Sequence, residues 1–170
     1  VEEEPVSPLP DIEASVFPTI SWSASVGNGV GSYYSRLRPA VRYGKLYVAD
    51  RYGEVTAFDE VTGDIVWERD FSSIFKDNIL AKNKGAKLAA GVTAARNTVF
   101  IGGESGLLGA LDAETGDTRW SVMTGGELLS APTVAEDIVV VNTSAGTLEA
   151  YKVDDGKKQW SYESKLPSLT

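Results

Sequence analysis

A chain of 170 residues, 42% apolar and 24% charged, is long enough for one domain with its own core and too apolar to stay disordered. Its 24 acids against 16 bases give a net charge of −8, and the local basic cluster, Lys82, Lys84 and Lys87, is too thin to track a phosphate backbone, which argues against nucleic acid as a partner. Neither His nor Cys occurs, which removes the Ser-His-Asp triad, the imidazole base, the His-bound metal, the disulfide, the thiolate nucleophile and the iron–sulfur cluster.

The lack of Cys leaves the compartment open. No apolar run approaches the roughly 20 residues of a membrane-spanning helix. A start at Val1, without Met or a signal peptide, is what a processed or trimmed chain would show. Residues 1–18 combine Pro5, Pro8, Pro10 and Pro18 with Glu2, Glu3, Glu4, Asp11 and Glu13. Proline favours extended backbone and like charges repel, so this segment reads as an acidic tether, ahead of a folded unit over 19–170. A strand over 20–26, carrying Trp22, fits the last strand of an earlier repeat. Gly27, Gly29 and Gly31 follow in G-x-G-x-G spacing with no helix pattern behind them, so the dinucleotide fingerprint fails and a flexible connection is the better reading.

The remainder repeats. Gly53 to Trp67, Gly106 to Trp120 and Gly146 to Trp160 each span 14 positions. Each has Ala four positions after its first Gly (Ala57, Ala110, Ala150) and a second Gly ten after it (Gly63, Gly116, Gly156). Upstream, 41–48, 94–101 and 134–141 align, with Gly44, Asn97 or Asp137 at the turn, residues that tolerate positive φ or cap a tight turn. Each unit therefore reads as four short strands, in the third near 131–134, 138–142, 147–152 and 158–162. In the third of these, Leu148 and Ala150 point one way and Thr147, Glu149 and Tyr151 the other. Gly106 to Gly146 is 40 residues but Gly53 to Gly106 is 53, so about 13 extra residues fall within 70–88. The Lys and Asn content there predicts an exposed loop with a short helical turn.

A four-strand repeat of about 40 residues predicts an all-β fold, a β-propeller with blades near 37–70, 89–124 and 129–165. A ring takes about four to eight blades, so three repeats read as a fragment of a closed ring.

In the repeated turn, exemplified by 112–116, the Asp carboxylate can accept backbone N–H groups and Gly supplies positive φ. Ala110 is small where the next blade approaches. Trp67, Trp120 and Trp160 would dock blade on blade. Calcium would need six to eight oxygens in a defined loop. The acids vary between units, and Lys152 stands where Asp59 and Asp112 stand in the others, so the motif reads as structural and no metal or cofactor site is assigned. Ser105 in G-G-E-S-G-L misses the nucleophile-elbow spacing and has no His to activate it. The paired acids lie mostly in turns, which does not single out a glycosidase pair. Asn142 heads an N-T-S sequon that matters only in a eukaryotic secretory setting.

The pattern A-[FLY]-[DK]-x-x-[TD]-G-x-x-x-W, over residues 22–165, resembles the tryptophan-docking repeat of PQQ-type, quinoprotein-like propellers. Within that group, "WSASVGNGVGSYYSRLRPAV", "LYVADRYGEVTAFD", "GELLSAP" and "KLPSL" resemble the N-terminal half of the BamB family, lipoprotein propellers of the outer-membrane β-barrel assembly machinery. The resemblance implies an eight-bladed periplasmic ring without known catalysis, tethered to the outer membrane through a lipid anchor absent from this chain. It implies a scaffold that docks on the POTRA domains of BamA and aids insertion of unfolded outer-membrane proteins. It also implies partner contact through the loop that begins at Pro167, Ser168 and Leu169, most of which would lie beyond Thr170.

Two alternatives stay open. One is a fragment of a PQQ-dependent quinoprotein dehydrogenase, which would add a cofactor-stacking Trp, a calcium ligand set and often paired Cys. The other is a generic propeller that binds peptide strands by edge addition.

Overall fold

The computed structural model describes residues 36–78 and 87–163. A two-residue strand, β1 (Arg36–Leu37), precedes a first sheet of β2 (Ala40–Arg42), β3 (Lys45–Ala49), β4 (Val55–Asp59) and β5 (Ile65–Arg69). One helical turn, α1 (Phe71–Ile74), leads to a second sheet of β6 (Leu88–Ala95), β7 (Thr98–Gly103), β8 (Leu107–Asp112) and β9 (Thr118–Met123). The third sheet holds β10 (Thr133–Ala135), β11 (Ile138–Asn142), β12 (Thr147–Lys152) and β13 (Lys158–Glu163). In each sheet the four strands lie in chain order and pair antiparallel; β1 adds to β6 in parallel. None of the three sheets closes on itself.

Hairpin chemistry explains the meander. Tyr43 and Gly44 (φ 55 and 69) turn β2 into β3, and Arg96 and Asn97 (φ 52 and 55) turn β6 into β7. Two consecutive positive φ values are the twist-matched hairpin solution. In the third sheet the left-handed residue is Glu136 (φ 55), one before the Asp137 that the repeat alignment places at the turn. Position in the hairpin, not side-chain preference, sets the sign there.

Two cores separate the three sheets. Tyr47, Val55 and Trp67 of the first sheet meet Val99, Ile101, Leu107 and Leu111 of the second. Phe100, Leu108 and Trp120 of the second meet Val139, Val141 and Tyr151 of the third. Neighbours in the chain thus go to opposite cores, as strand alternation requires. The middle sheet is covered on both faces, which is why β7 is buried throughout and β8 reads as a nearly unbroken apolar run.

The inserted segment differs from the expected exposed loop. Asp70 caps α1 by accepting the Ser73 N–H at 2.7 Å. Phe71, Ile74 and Phe75 are buried in the first core. Phe75 lies over Gly109, where a Cβ would come within 3.1 Å of the ring. Lys and Asn dominate the later part of the insertion, while its opening "FSSIF" supplies core.

Candidate functional site

The repeated residues converge between the sheets. The indole N–H of Trp67 donates to the Ala113 carbonyl at 3.0 Å, and the Tyr47 hydroxyl donates to the same oxygen at 3.0 Å. The Trp67 ring lies against Gly116, where a Cβ would come within 2.6 Å. The next interface repeats this geometry. Trp120 donates to Val153 O at 2.7 Å, and its ring lies against Gly156, where a Cβ would come within 2.5 Å. Each of these tryptophans therefore sits on the turn of the following sheet. Gly116 and Gly156 serve twice: they adopt φ 78 and 75, and they clear the space the ring occupies. Gly63 has the same backbone, φ 77.

Ala57, Ala110 and Ala150 are fully buried, and each lies directly across from the Trp of its own sheet (Ala57↔Trp67, Ala110↔Trp120, Ala150↔Trp160). Cross-strand partners share a face, so the small side chain makes room for its own indole as well as for the neighbouring sheet. Trp160 differs from its two counterparts. It is 44% exposed, beside Leu148 and Tyr162, and no following turn covers it among the described residues.

The turn carboxylates are committed to backbone. Asp59 Oδ1 accepts N–H groups of Val61 and Thr62, both at 2.9 Å, which holds its pKa below the usual carboxylate range. Burial works to raise Asp112, but Arg119 and the N–H groups of Glu114 and Thr115 outweigh it and lower the pKa. In the third turn the Gly156 N–H reaches Lys152 O at 2.8 Å as Gly63 and Gly116 reach Asp59 O and Asp112 O. Asp155 there accepts the Lys157 N–H, the bond that Thr62 and Thr115 make in the other turns. The backbone pattern survives the exchange of Asp for Lys152.

One polar cluster escaped the sequence reading. Glu149 is 1% exposed and faces the second sheet. Its carboxylate accepts the Gly125 N–H at 2.9 Å, the Thr147 hydroxyl at 2.8 Å and the Tyr151 hydroxyl at 2.8 Å, and pairs with Lys158 at 3.1 Å. Burial pushes its pKa up, yet these donors together hold it below the usual range. Tyr151 is pushed well above a normal phenol, by burial first and then by the adjacent carboxylate. The signal was present as Thr147, Glu149 and Tyr151 on one strand face. The alternation grouped them correctly; which face turns inward was decided by the stacking.

Arg69 ties the insertion to the second sheet, donating to Ser73 O at 2.8 Å, Thr118 Oγ1 at 3.3 Å and Gly116 O. A groove of about 600 Å³ runs along β9, walled on one side by Ile74, Asp77 and Asn78. The segments 1–18, 20–26 and 27–31, the lysines at 82 and 84, and Pro167, Ser168 and Leu169 lie outside the described residues.

A family model described as outer membrane protein assembly factor BamB matches residues 19–84 and 78–170. An outer membrane protein assembly factor BamB of Shewanella oneidensis is 69% identical over 129 residues, 76% of this chain and 33% of that protein. The crystal structure of BamB from Moraxella catarrhalis superposes with a TM-score of 0.66 at 26% identity, covering 79% of this chain and 37% of that one. A europium-containing methanol dehydrogenase superposes with a TM-score of 0.63 at 25% identity, covering 87% of this chain and 27% of that one. The chain spans about a third of the length of the curated relatives it matches.

Proposed function

The chain belongs to the BamB family of outer membrane protein assembly factors, and from that membership we propose that it is part of a non-catalytic scaffold of the machinery that assembles β-barrel proteins in the outer membrane. The observation that carries this reading is the family match along both halves of the repeat region. In this reading the protein is periplasmic, held to the outer membrane by a lipid anchor outside this sequence, and docks on the POTRA domains of BamA. Its clients are unfolded outer-membrane proteins, and Pro167, Ser168 and Leu169 begin the loop that contributes to the docking contact. The residues 1–18 serve as tether, and the strand over 20–26 belongs to a neighbouring blade.

The repeated residues have an architectural role in this proposal. Trp67, Trp120 and Trp160, over Ala57, Ala110 and Ala150, pin each blade to the Gly63-, Gly116- or Gly156-type turn of the next. Such a stack holds loops and edges rigid without requiring chemistry of its own. Shared repeats account for the likeness to a quinoprotein-type dehydrogenase fold, and no cofactor role is assigned.

Co-elution of the full-length protein with isolated BamA POTRA domains tests the reading. A complex at low salt is expected; its absence under those conditions would overturn docking. Addition of PQQ and calcium is expected to leave the absorbance spectrum unchanged, and a cofactor band with alcohol-dependent dye reduction would favour the dehydrogenase alternative.

A further inference from the structure

Three arginines gather along the seam between the first two sheets. Arg42 ends β2 and donates from Nη1 to the Ala94 carbonyl of β6 at 2.9 Å, with its guanidinium 5.1 Å from the centre of the Tyr43 ring. The Tyr43 hydroxyl accepts the Asn97 N–H at 2.8 Å, so the turn before β3 abuts the turn before β7, which carries Arg96. Arg38 joins the same seam through its backbone, donating to Gly91 O and accepting the Val92 N–H. All three arginines are exposed, and among the described residues no carboxylate pairs with any of them. Lys45, by contrast, lies directly across from Asp59. The third sheet reverses the sign: its equivalent turn holds Glu136 and Asp137.

The sequence supplies a matching block of opposite charge. Residues 1–13 hold the acids Glu2, Glu3, Glu4, Asp11 and Glu13 and no base. Residues 14–35 hold no charged side chain. Residues 36–49 then hold Arg36, Arg38, Arg42 and Lys45 and no acid. In a chain of net charge −8 the basic block is the exception, and its complement lies on the same chain. The uncharged stretch between the blocks can span up to about 70 Å when extended, several times the ~15 Å width of a four-stranded sheet, so length does not keep them apart.

We propose that the acidic segment 1–13 folds back onto the rim of Arg38, Arg42 and Arg96 as an electrostatic clasp. Single exposed ion pairs are weak and screened by salt. Tethering raises the effective concentration of the acids at the rim, which lets several weak pairs act together. In the scaffold reading this segment is the tether, so the clasp would turn this rim of the first two sheets toward the membrane anchor. That consequence rests on the scaffold reading; the contact itself does not.

The test uses the full-length protein with a spin label on Ser7→Cys, a unique handle because this chain has no other Cys. At low salt the label is expected to attenuate the amide signals of Arg38, Arg42, Arg96 and Asn97 and to spare those of Glu136 and Asp137. Salt at about 1 M, where the screening length falls to about 3 Å, is expected to remove the attenuation. So is the combination of Glu2→Gln, Glu3→Gln and Glu4→Gln. Arg96→Gln, whose side chain makes no described contact to lose, is expected to weaken the attenuation, and Arg96→Lys to restore it. Attenuation spread evenly over the surface, or unchanged by salt and by the Gln substitutions, would overturn the clasp. Rim amides untouched by the label, with Arg96-dependent sedimentation on phosphatidylglycerol vesicles, would give the rim to a lipid surface and overturn it too. Failure here with retained POTRA co-elution would sink the clasp alone. Loss of co-elution with retained attenuation would sink the scaffold reading alone.

Discussion

The indole of Trp120 lies so close to Gly156 that a Cβ at that glycine would come within 2.5 Å of the ring. These two residues, one per sheet, define how the second sheet meets the third. Gly156→Ala should therefore lose stability in two ways: left-handed backbone for a residue with a Cβ, and overlap with the indole. Together they should cost about 2–4 kcal/mol. Gly146 has φ 80 with nothing within 4 Å, so Gly146→Ala should cost only the backbone part, about 1–2 kcal/mol. Urea denaturation of the two variants isolates the indole contact; equal costs would rule it out.

Truncating the tryptophans should show the same asymmetry. Trp120→Ala removes a buried ring and the donor to Val153 O, with an expected cost of about 3–5 kcal/mol. Trp160 is 44% exposed here, and Trp160→Ala should cost about 1 kcal/mol or less in this chain. In the full-length protein a covering blade would raise the second value toward the first. Thermal unfolding of both variants in both lengths reads this directly.

Phe75 tests whether the insertion is core or loop. A truncation in an exposed loop would cost a few tenths of a kcal/mol, but Phe75→Ala should cost about 3–5 kcal/mol because the ring is 2% exposed and fills the space over Gly109. Gly109→Ala would bring a Cβ to 3.1 Å from the same ring and should cost about 1–3 kcal/mol through overpacking. A Phe75→Ala protein as stable as the parent would return the segment to the status of a loop.

Glu149 should give the fold an acid limb. Its folded pKa is depressed, so it binds a proton more weakly folded than unfolded. The stabilisation is present above the unfolded carboxylate value of about 4.3 and is lost as pH falls through the depressed folded value. Asp59 and Asp112 act in the same direction. Glu149→Gln should flatten the loss between about pH 5 and pH 3 without abolishing it. Glu149→Ala at neutral pH leaves several donors without their acceptor and should cost about 2–3 kcal/mol. Stability measured across that pH range decides; identical acid limbs in parent and Gln variant would exclude Glu149 as a contributor.

The sequence by itself determined the strands, the hairpins and their repetition. Those features depend on neighbours a few residues apart: alternation along a strand, Gly in the left-handed region, and Asp or Thr bonding to its own turn. It also made the tryptophans conspicuous, because their spacing from Ala57, Ala110 and Ala150 is the cross-strand register itself. Only the tertiary structure decided what each tryptophan touches, because Trp67 reaches Ala113 and Trp120 reaches Val153 across sheets whose stacking no local pattern encodes. Stacking likewise buried Glu149 against the second sheet and brought Phe75 over Gly109. At the position shared by Thr56, Gly109 and Glu149 the repeat carries three different residues, because each faces a different neighbour: burial energy is settled by the surface that comes to lie opposite, and that surface is distant in the chain.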